Sequence, residues 1–97
     1  MKKEKIEKPI RHGIKYQRVV ELLEASDNTA LTVDGHDSAI LGLCWASGAP
    51  RVVYSVQTIL NDLVKQGMSP NEAREFYEFN IEGAYVGEQT PLFVEIV

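Results

Sequence analysis

The sequence has very little cysteine and no long apolar run. Cys44 is the single cysteine, so no disulfide can form within the chain, which is typical of a reducing compartment. The longest apolar run covers residues 39–46, whereas a membrane-spanning helix needs about 20 residues. The charged start of the chain also lacks the apolar stretch of a signal peptide. We therefore expect a cytoplasmic protein with no membrane partner.

Positive charge is scarce beyond residue 18. Residues 19–97 hold three Lys or Arg and twelve Asp or Glu, a balance of −9, whereas residues 1–18 hold seven and two, a balance of +5. An acidic body repels phosphate backbones, so we expect no nucleic-acid partner except through residues 2–18. The simpler interpretation of this stretch is a solubilising terminus. We predict a flexible basic arm over residues 1–12 and a single domain over residues 13–97.

Recognisable catalytic and metal-binding patterns are missing as well. The sequence shows no nucleophile elbow, no Gly-rich phosphate loop, no paired-carboxylate motif, and no CxxC, HxxxH or HExxH spacing. His36 and Asp37 form the only His/Asp cluster, and two histidines in the whole chain are too few for a closed zinc site. Asp37 followed by Ser38 is more simply a turn pair. The sequence thus gives no reason to expect a metal, a cofactor or catalysis.

The chain does contain one domain's worth of residues with clear periodicities. The predicted elements, in order, are a helix over 14–25, strands over 30–33, 39–46 and 51–54, a helix from 56 that ends near Gly67, a helix over 70–82, and a strand over 92–97. These elements predict an α+β fold in which helices pack on one face of a three- or four-stranded, mostly antiparallel sheet. The order is α-(β)-β-β-α-α-β.

Two local predictions concern positions within this fold. The strand over 39–46 is apolar on both faces, which indicates a place inside the sheet, and Gly42 in its middle indicates a bulge. Before the last helix, Ser69, Pro70 and Glu72 have the spacing of a capping box with proline at the first helical position.

The last predicted helix separates acidic from apolar side chains. At about 100° per residue, Asn80 falls on the apolar side, where a buried amide needs a hydrogen-bonded partner, which we expect in the loop backbone over 87–90. Phe79 borders the acidic side, either as a binding anchor or covered by the first helix. The acidic side is either a solvated outer face or a surface that docks on a basic partner. Its four carboxylates are Glu72, Glu75, Glu78 and Glu82.

A C-terminal string of glycines, aromatics and an amide resembles a known signature. Glu78-Phe-Asn80, then Gly83-Ala-Tyr-Val-Gly-Glu88, then Thr90-Pro91-x-Phe93 are similar to the signature of a family of small uncharacterised proteins of phage and of phage-derived bacterial DNA. The likeness covers about residues 35–93. It implies a small accessory protein, and such proteins often bind and redirect a host protein.

Three functional hypotheses follow. The leading one is a non-catalytic protein-binding module that acts through the acidic side and Phe79, in its narrower form a phage-type inhibitor or modulator of a host or defence protein. The alternative is a small-ligand binder or small enzyme with a pocket near the loop over 83–91, formed by Asp37, Asn80, Glu88 and Thr90. The weaker alternative is a nucleic-acid-associated regulator that uses the basic arm. A homo-oligomer is a further prediction, because an apolar final strand at a sheet edge favours pairing.

Overall fold

The computed structural model describes residues 2–3, 14–45, 48–84 and 87–97 and has the predicted α+β fold. Its elements are β1 (Lys2–Lys3), α1 (Ile14–Ala25), β2 (Leu31–Thr32), a 3-10 turn (Asp37–Ala39), β3 (Ile40–Cys44), β4 (Arg51–Ser55), α2 (Val56–Lys65), α3 (Pro70–Tyr77), a π-helical segment (Glu78–Glu82) and β5 (Leu92–Val94). The predicted element order is confirmed from α1 onward, whereas β1 was not predicted.

The main sheet has the order β3-β4-β5. β3 and β4 form the predicted antiparallel hairpin, whereas β5 lies parallel to β4 because the two intervening helices carry the chain back along the sheet. A second, two-stranded sheet joins β1 to β2, where Lys2 pairs with Thr32 and Lys3 with Leu31. The other residues of the predicted basic arm, Met1 and residues 4–12, lie outside the described residues.

β3 lies at an edge of the main sheet, so the prediction of an interior strand is wrong. Its only sheet partner among the described strands is β4. The predicted bulge is confirmed, because the register shifts between Ile40 and Gly42. The extra residue, Leu41, and Trp45 are 40% and 47% exposed. Apolar residues on both faces of this strand therefore reflect partial exposure rather than a central position.

The core lies between the helices and one face of the main sheet. Ile40 pairs with Tyr54, and Tyr54 with Phe93, so these three side chains share a sheet face. The Phe93 ring lies 5.9 Å from the Tyr54 ring and 5.7 Å, edge to face, from the ring of Tyr77 in α3. Aromatic pairs with this spacing stabilise a core beyond the burial of their area.

Local capping signals determine where the helices begin and end. The Ser55 hydroxyl accepts a hydrogen bond from the Thr58 N–H at the start of α2, and Gly67, at φ +112°, follows its end. The capping box of α3 is present in full: the Ser69 hydroxyl accepts from the Glu72 N–H at 3.2 Å, and the Glu72 carboxylate accepts from the Ser69 N–H at 2.8 Å. No helix within the described ranges is long and apolar enough to cross a bilayer.

The chain after β5 is attached to the helices by side chains rather than by further strand pairing. The Gln57 amide donates to the Ile96 carbonyl oxygen at 2.9 Å and accepts from the Ile96 N–H at 3.2 Å. Arg74 of α3 lies 3.5 Å from the Glu95 carboxylate. The predicted strand over 92–97 is therefore shorter, and its last residues are held across the start of α2 and the side of α3.

Candidate functional site

The helix that begins at Pro70 changes its geometry in its last turn. α3 ends at Tyr77 and continues as the π-helical segment to Glu82, where the Gly83 N–H donates to the Glu78 carbonyl oxygen at 3.0 Å. Gly83 permits this turn, since a Cβ atom there would lie 2.8 Å from that same oxygen. The predicted end near Glu82 is confirmed, but the last turn is wider than an α-helical one.

The wider turn exchanges the positions of Asn80 and Ile81. Each residue of a π turn advances by a smaller angle than in an α-helix, so Ile81, four residues after Tyr77, faces the core. Ile81 is 5% exposed, and Asn80 lies on the exposed side. The prediction of a buried Asn80 amide tied to the loop backbone is therefore wrong, because it assumed uninterrupted α-helical periodicity.

The acidic face consists of Glu72, Glu75, Glu78, Phe79 and Glu82. All five residues are exposed, and Phe79 is 80% exposed, so α1 does not cover it. Among the described residues, no hydrogen bond or ion pair engages the side chains of Glu75 or Glu78, whereas Glu72 completes the capping box. Arg74, a cation on the same helix, pairs with Glu95 instead. The negative charge of this face is thus left largely uncompensated.

Tyr77 lies beneath the acidic face and is almost completely buried. Burial, followed by the negative charge of Glu82, raises the pKa of the Tyr77 phenol far above its usual range. The hydroxyl makes no hydrogen bond of acceptable geometry with the described residues, although Glu82 is close enough to act on it electrostatically. Burial of this hydroxyl therefore costs desolvation that no well-formed hydrogen bond to the described residues offsets.

A groove opens beside the acidic face, on the side that Asn80 occupies. It has a volume of about 310 Å³ and lies between the turn after β2, the end of α2 and the π-helical segment. Its lining residues are Val33, Asp34, Gly35, His36, Leu63, Gln66, Phe76, Asn80 and Ile81. Apolar and polar side chains thus line the same depression, as is usual in small-ligand sites.

His36 forms part of the groove wall and belongs to a small polar cluster. Its side chain is 7% exposed, and Nδ1 lies 3.5 Å from the Asp62 Oδ2 atom of α2 without a hydrogen bond. The Ser38 hydroxyl donates to the same Asp62 oxygen at 3.1 Å. Because the serine donates to the carboxylate and not to the imidazole, the three residues do not form a nucleophilic triad.

The residues predicted as ligand-binding do not share one cavity. Asn80 lines the groove, and Asp37 follows His36 in the 3-10 turn without lining it. Glu88 lines a separate shallow depression with Leu31, Ala49 and Gln89. Thr90 is buried, and its N–H donates to the Gly87 carbonyl oxygen at 3.1 Å. Residues 85–86 of the predicted loop lie outside the described residues.

Sequence reasoning did not identify Gln66, Phe76 and Leu63 as groove residues. Leu63 and Gln66 belong to the helix predicted from residue 56 to near Gly67, and only the tertiary arrangement brings them to the turn at Asp34 and Gly35. His36 was visible in the sequence only as half of a His/Asp cluster. In the described ranges, no group of three or more His, Cys, Asp or Glu side chains could hold a metal ion.

Comparison with protein-family models, curated proteins and solved structures gives no match for this chain. The resemblance of the C-terminal string to the phage-associated family stays a prediction.

Proposed function

We propose that this protein is a non-catalytic protein-binding module that docks on a basic partner through its acidic face. The exposure of Phe79 in the middle of uncompensated carboxylates is the observation that carries the proposal. Phe79 is 80% exposed within the π-helical segment, so its ring contributes little to the core of the fold. Burying a Phe side chain against a partner contributes roughly 1.5–3 kcal/mol.

The surrounding carboxylates select the chemistry of the partner. Glu75 and Glu78 lie on the exposed side of the helix without a cation of their own, and the chain beyond residue 18 has a balance of −9. Complementary charge raises the rate of encounter and excludes acidic competitors, while a central aromatic side chain provides affinity. The partner therefore carries Lys or Arg side chains around an apolar pocket that accepts a phenyl ring.

The C-terminal string from Glu78 to Phe93 suggests the biological role of such a module. Its resemblance to the phage-associated signature supports the role of an accessory protein that redirects a host or defence protein. In that role the acidic face occupies a basic surface that otherwise contacts nucleic acid or another acidic protein.

Self-association is a separate proposal with its own support. β5 lies at the other edge of the described main sheet, and its last residue, Val94, and the following Ile96 are both exposed. An exposed apolar edge favours pairing with a second strand. A sizing measurement at several protein concentrations tests self-association independently of the acidic face.

Affinity capture followed by mass spectrometry tests the main proposal. Wild type and the Phe79→Ala variant are used as baits in lysate from the native host. We expect at least one basic protein to be captured by wild type and lost with Phe79→Ala, because the anchor is removed and the fold is not affected. Leu22→Ala, which removes a partly exposed apolar side chain from α1, is the matched control and retains the partner. A partner set that is identical for wild type and Phe79→Ala contradicts the proposal.

A further inference from the structure

The groove beside the acidic face combines apolar walls with side-chain amides. Leu63 and Ile81 are buried residues that contribute to its lining, and Phe76, which is 39% exposed, contributes an aromatic ring. Ligand sites typically have apolar walls and a few polar groups that fix orientation, with volumes of about 300–1,000 Å³. At about 310 Å³, this groove fits a ligand of one ring system rather than an extended molecule.

The side chains of Gln66 and Asn80 supply the hydrogen-bonding capacity of the groove. Each amide carries both a donor and an acceptor, and no hydrogen bond between described residues engages either one. Two amides in one groove match a ligand edge on which donors and acceptors alternate. An amide–base edge pairing of this kind is familiar from recognition of adenine by Asn and Gln.

The charges of the lining restrict the ligand further. Among the described residues, the groove is lined by Asp34 and by no Lys or Arg side chain, and the acidic face lies on the same helical element as Asn80. A phosphate or carboxylate group would therefore be repelled. An uncharged or cationic ligand is favoured.

The π-helical segment indicates that the groove is more than a packing defect. It moves Asn80 out of the core and into the groove lining, and such segments within helices are frequent at functional sites.

We infer that this groove binds a small, uncharged or cationic, planar nitrogen heterocycle of the nucleobase class. The edge of the ring bonds to the amides of Gln66 and Asn80, and its face lies against Phe76. This activity is independent of the acidic face, since none of the groove residues belongs to that face.

NMR titration tests the inference with cytosine, adenine, cytidine and cytidine monophosphate as probes. We expect saturable shifts of the Gly35 backbone amide and of the Gln66 and Asn80 side-chain amides with the two bases and with cytidine. The monophosphate binds more weakly than cytidine, because its phosphate meets the acidic lining. This comparison separates a site for the free heterocycle from one for nucleotides or nucleic acid.

Substitutions decide whether the groove is responsible. Asn80→Leu and Gln66→Leu are each expected to weaken binding about fivefold, the loss typical of one hydrogen bond. Asn61→Leu removes an exposed amide of α2 that does not line the groove, and it leaves the affinity unchanged. The inference is overturned if none of the bases gives saturable shifts in wild type, if both Leu variants bind like wild type, or if the monophosphate binds more tightly than cytidine.

Discussion

The Gly83 N–H donates to the carbonyl oxygen of Glu78, one residue further back than an α-helical bond would reach. This bond determines which side chains the last helical turn presents. It directs Ile81 into the core and leaves Asn80 exposed beside the groove. The position of Asn80 in the groove lining is therefore a consequence of how this one helix ends.

Gly83→Ala is expected to destabilise the protein by about 1–3 kcal/mol, the usual cost of forcing an extra group into a packed site. The new Cβ atom would lie 2.8 Å from the Glu78 carbonyl oxygen, so the π-helical segment has to shift. Urea denaturation measures the change. Gly42→Ala is the control, because a Cβ atom there meets nothing within 4 Å. Equal stability of the two variants would show that the π turn does not require glycine.

Ser69→Ala is expected to lower the free energy of unfolding by about 1 kcal/mol, because the Glu72 N–H loses its side-chain acceptor. Asn71→Ala, an exposed substitution in the same first turn, serves as the control and changes stability by less than about 0.5 kcal/mol. Thermal or urea denaturation distinguishes the two. A Ser69→Ala variant as stable as wild type would mean that the capping box contributes nothing.

Tyr77→Phe is expected to leave stability at pH 7 within about 1 kcal/mol of wild type, since the lost hydroxyl has no hydrogen bond with the described residues. At high pH the two proteins differ. The raised pKa of Tyr77 means that the unfolded phenol, with its usual pKa near 10, releases its proton before the folded one. Wild-type stability therefore falls as pH rises above about 10, and the variant lacks this part of the loss. Urea denaturation of both proteins at pH 8 and above pH 10 measures this loss of stability. Equal losses in wild type and variant would refute the raised pKa of Tyr77.

Phe79→Ala is expected to change the free energy of unfolding by less than about 0.5 kcal/mol, because the ring is exposed. Phe93→Ala, at a ring that contacts Tyr54 and Tyr77, is expected to cost about 3 kcal/mol. Denaturation of both variants measures the contrast. A large loss for Phe79→Ala would show that its ring supports the fold rather than a partner.

Local signals in the sequence predicted most of the fold. The Ser69 capping box and the Gly42 bulge depend on residues close together in the chain, and both are present. The edge position of β3 was missed because apolar residues on both faces do not reveal how many strands flank a strand. The short β5 was missed because the Gln57 contact to Ile96 spans 39 positions.

The candidate sites were likewise predictable only where residues close together in the chain determine them. The acidic face was predictable from residue spacing along one helix, and all of its residues are exposed. We predicted a buried Asn80 because the amino-acid sequence does not reveal the π turn, in which the hydrogen bond spans one residue more than in an α-helix. The groove could not be predicted, because its walls come from the turn at Gly35, the end of α2 and the π-helical segment.

The most direct test of the account is the affinity of the captured partner for a charge-reversed acidic face. Glu75→Lys combined with Glu78→Lys is compared by calorimetry with Glu21→Lys combined with Glu24→Lys, which makes the same charge change at exposed positions of α1. We predict that the first pair weakens binding at least tenfold at low ionic strength and the second does not. The difference shrinks near 1 M salt, where the screening length falls to about 3 Å. Unchanged affinity with the first pair, or equal losses with both, would contradict a binding site on the acidic face.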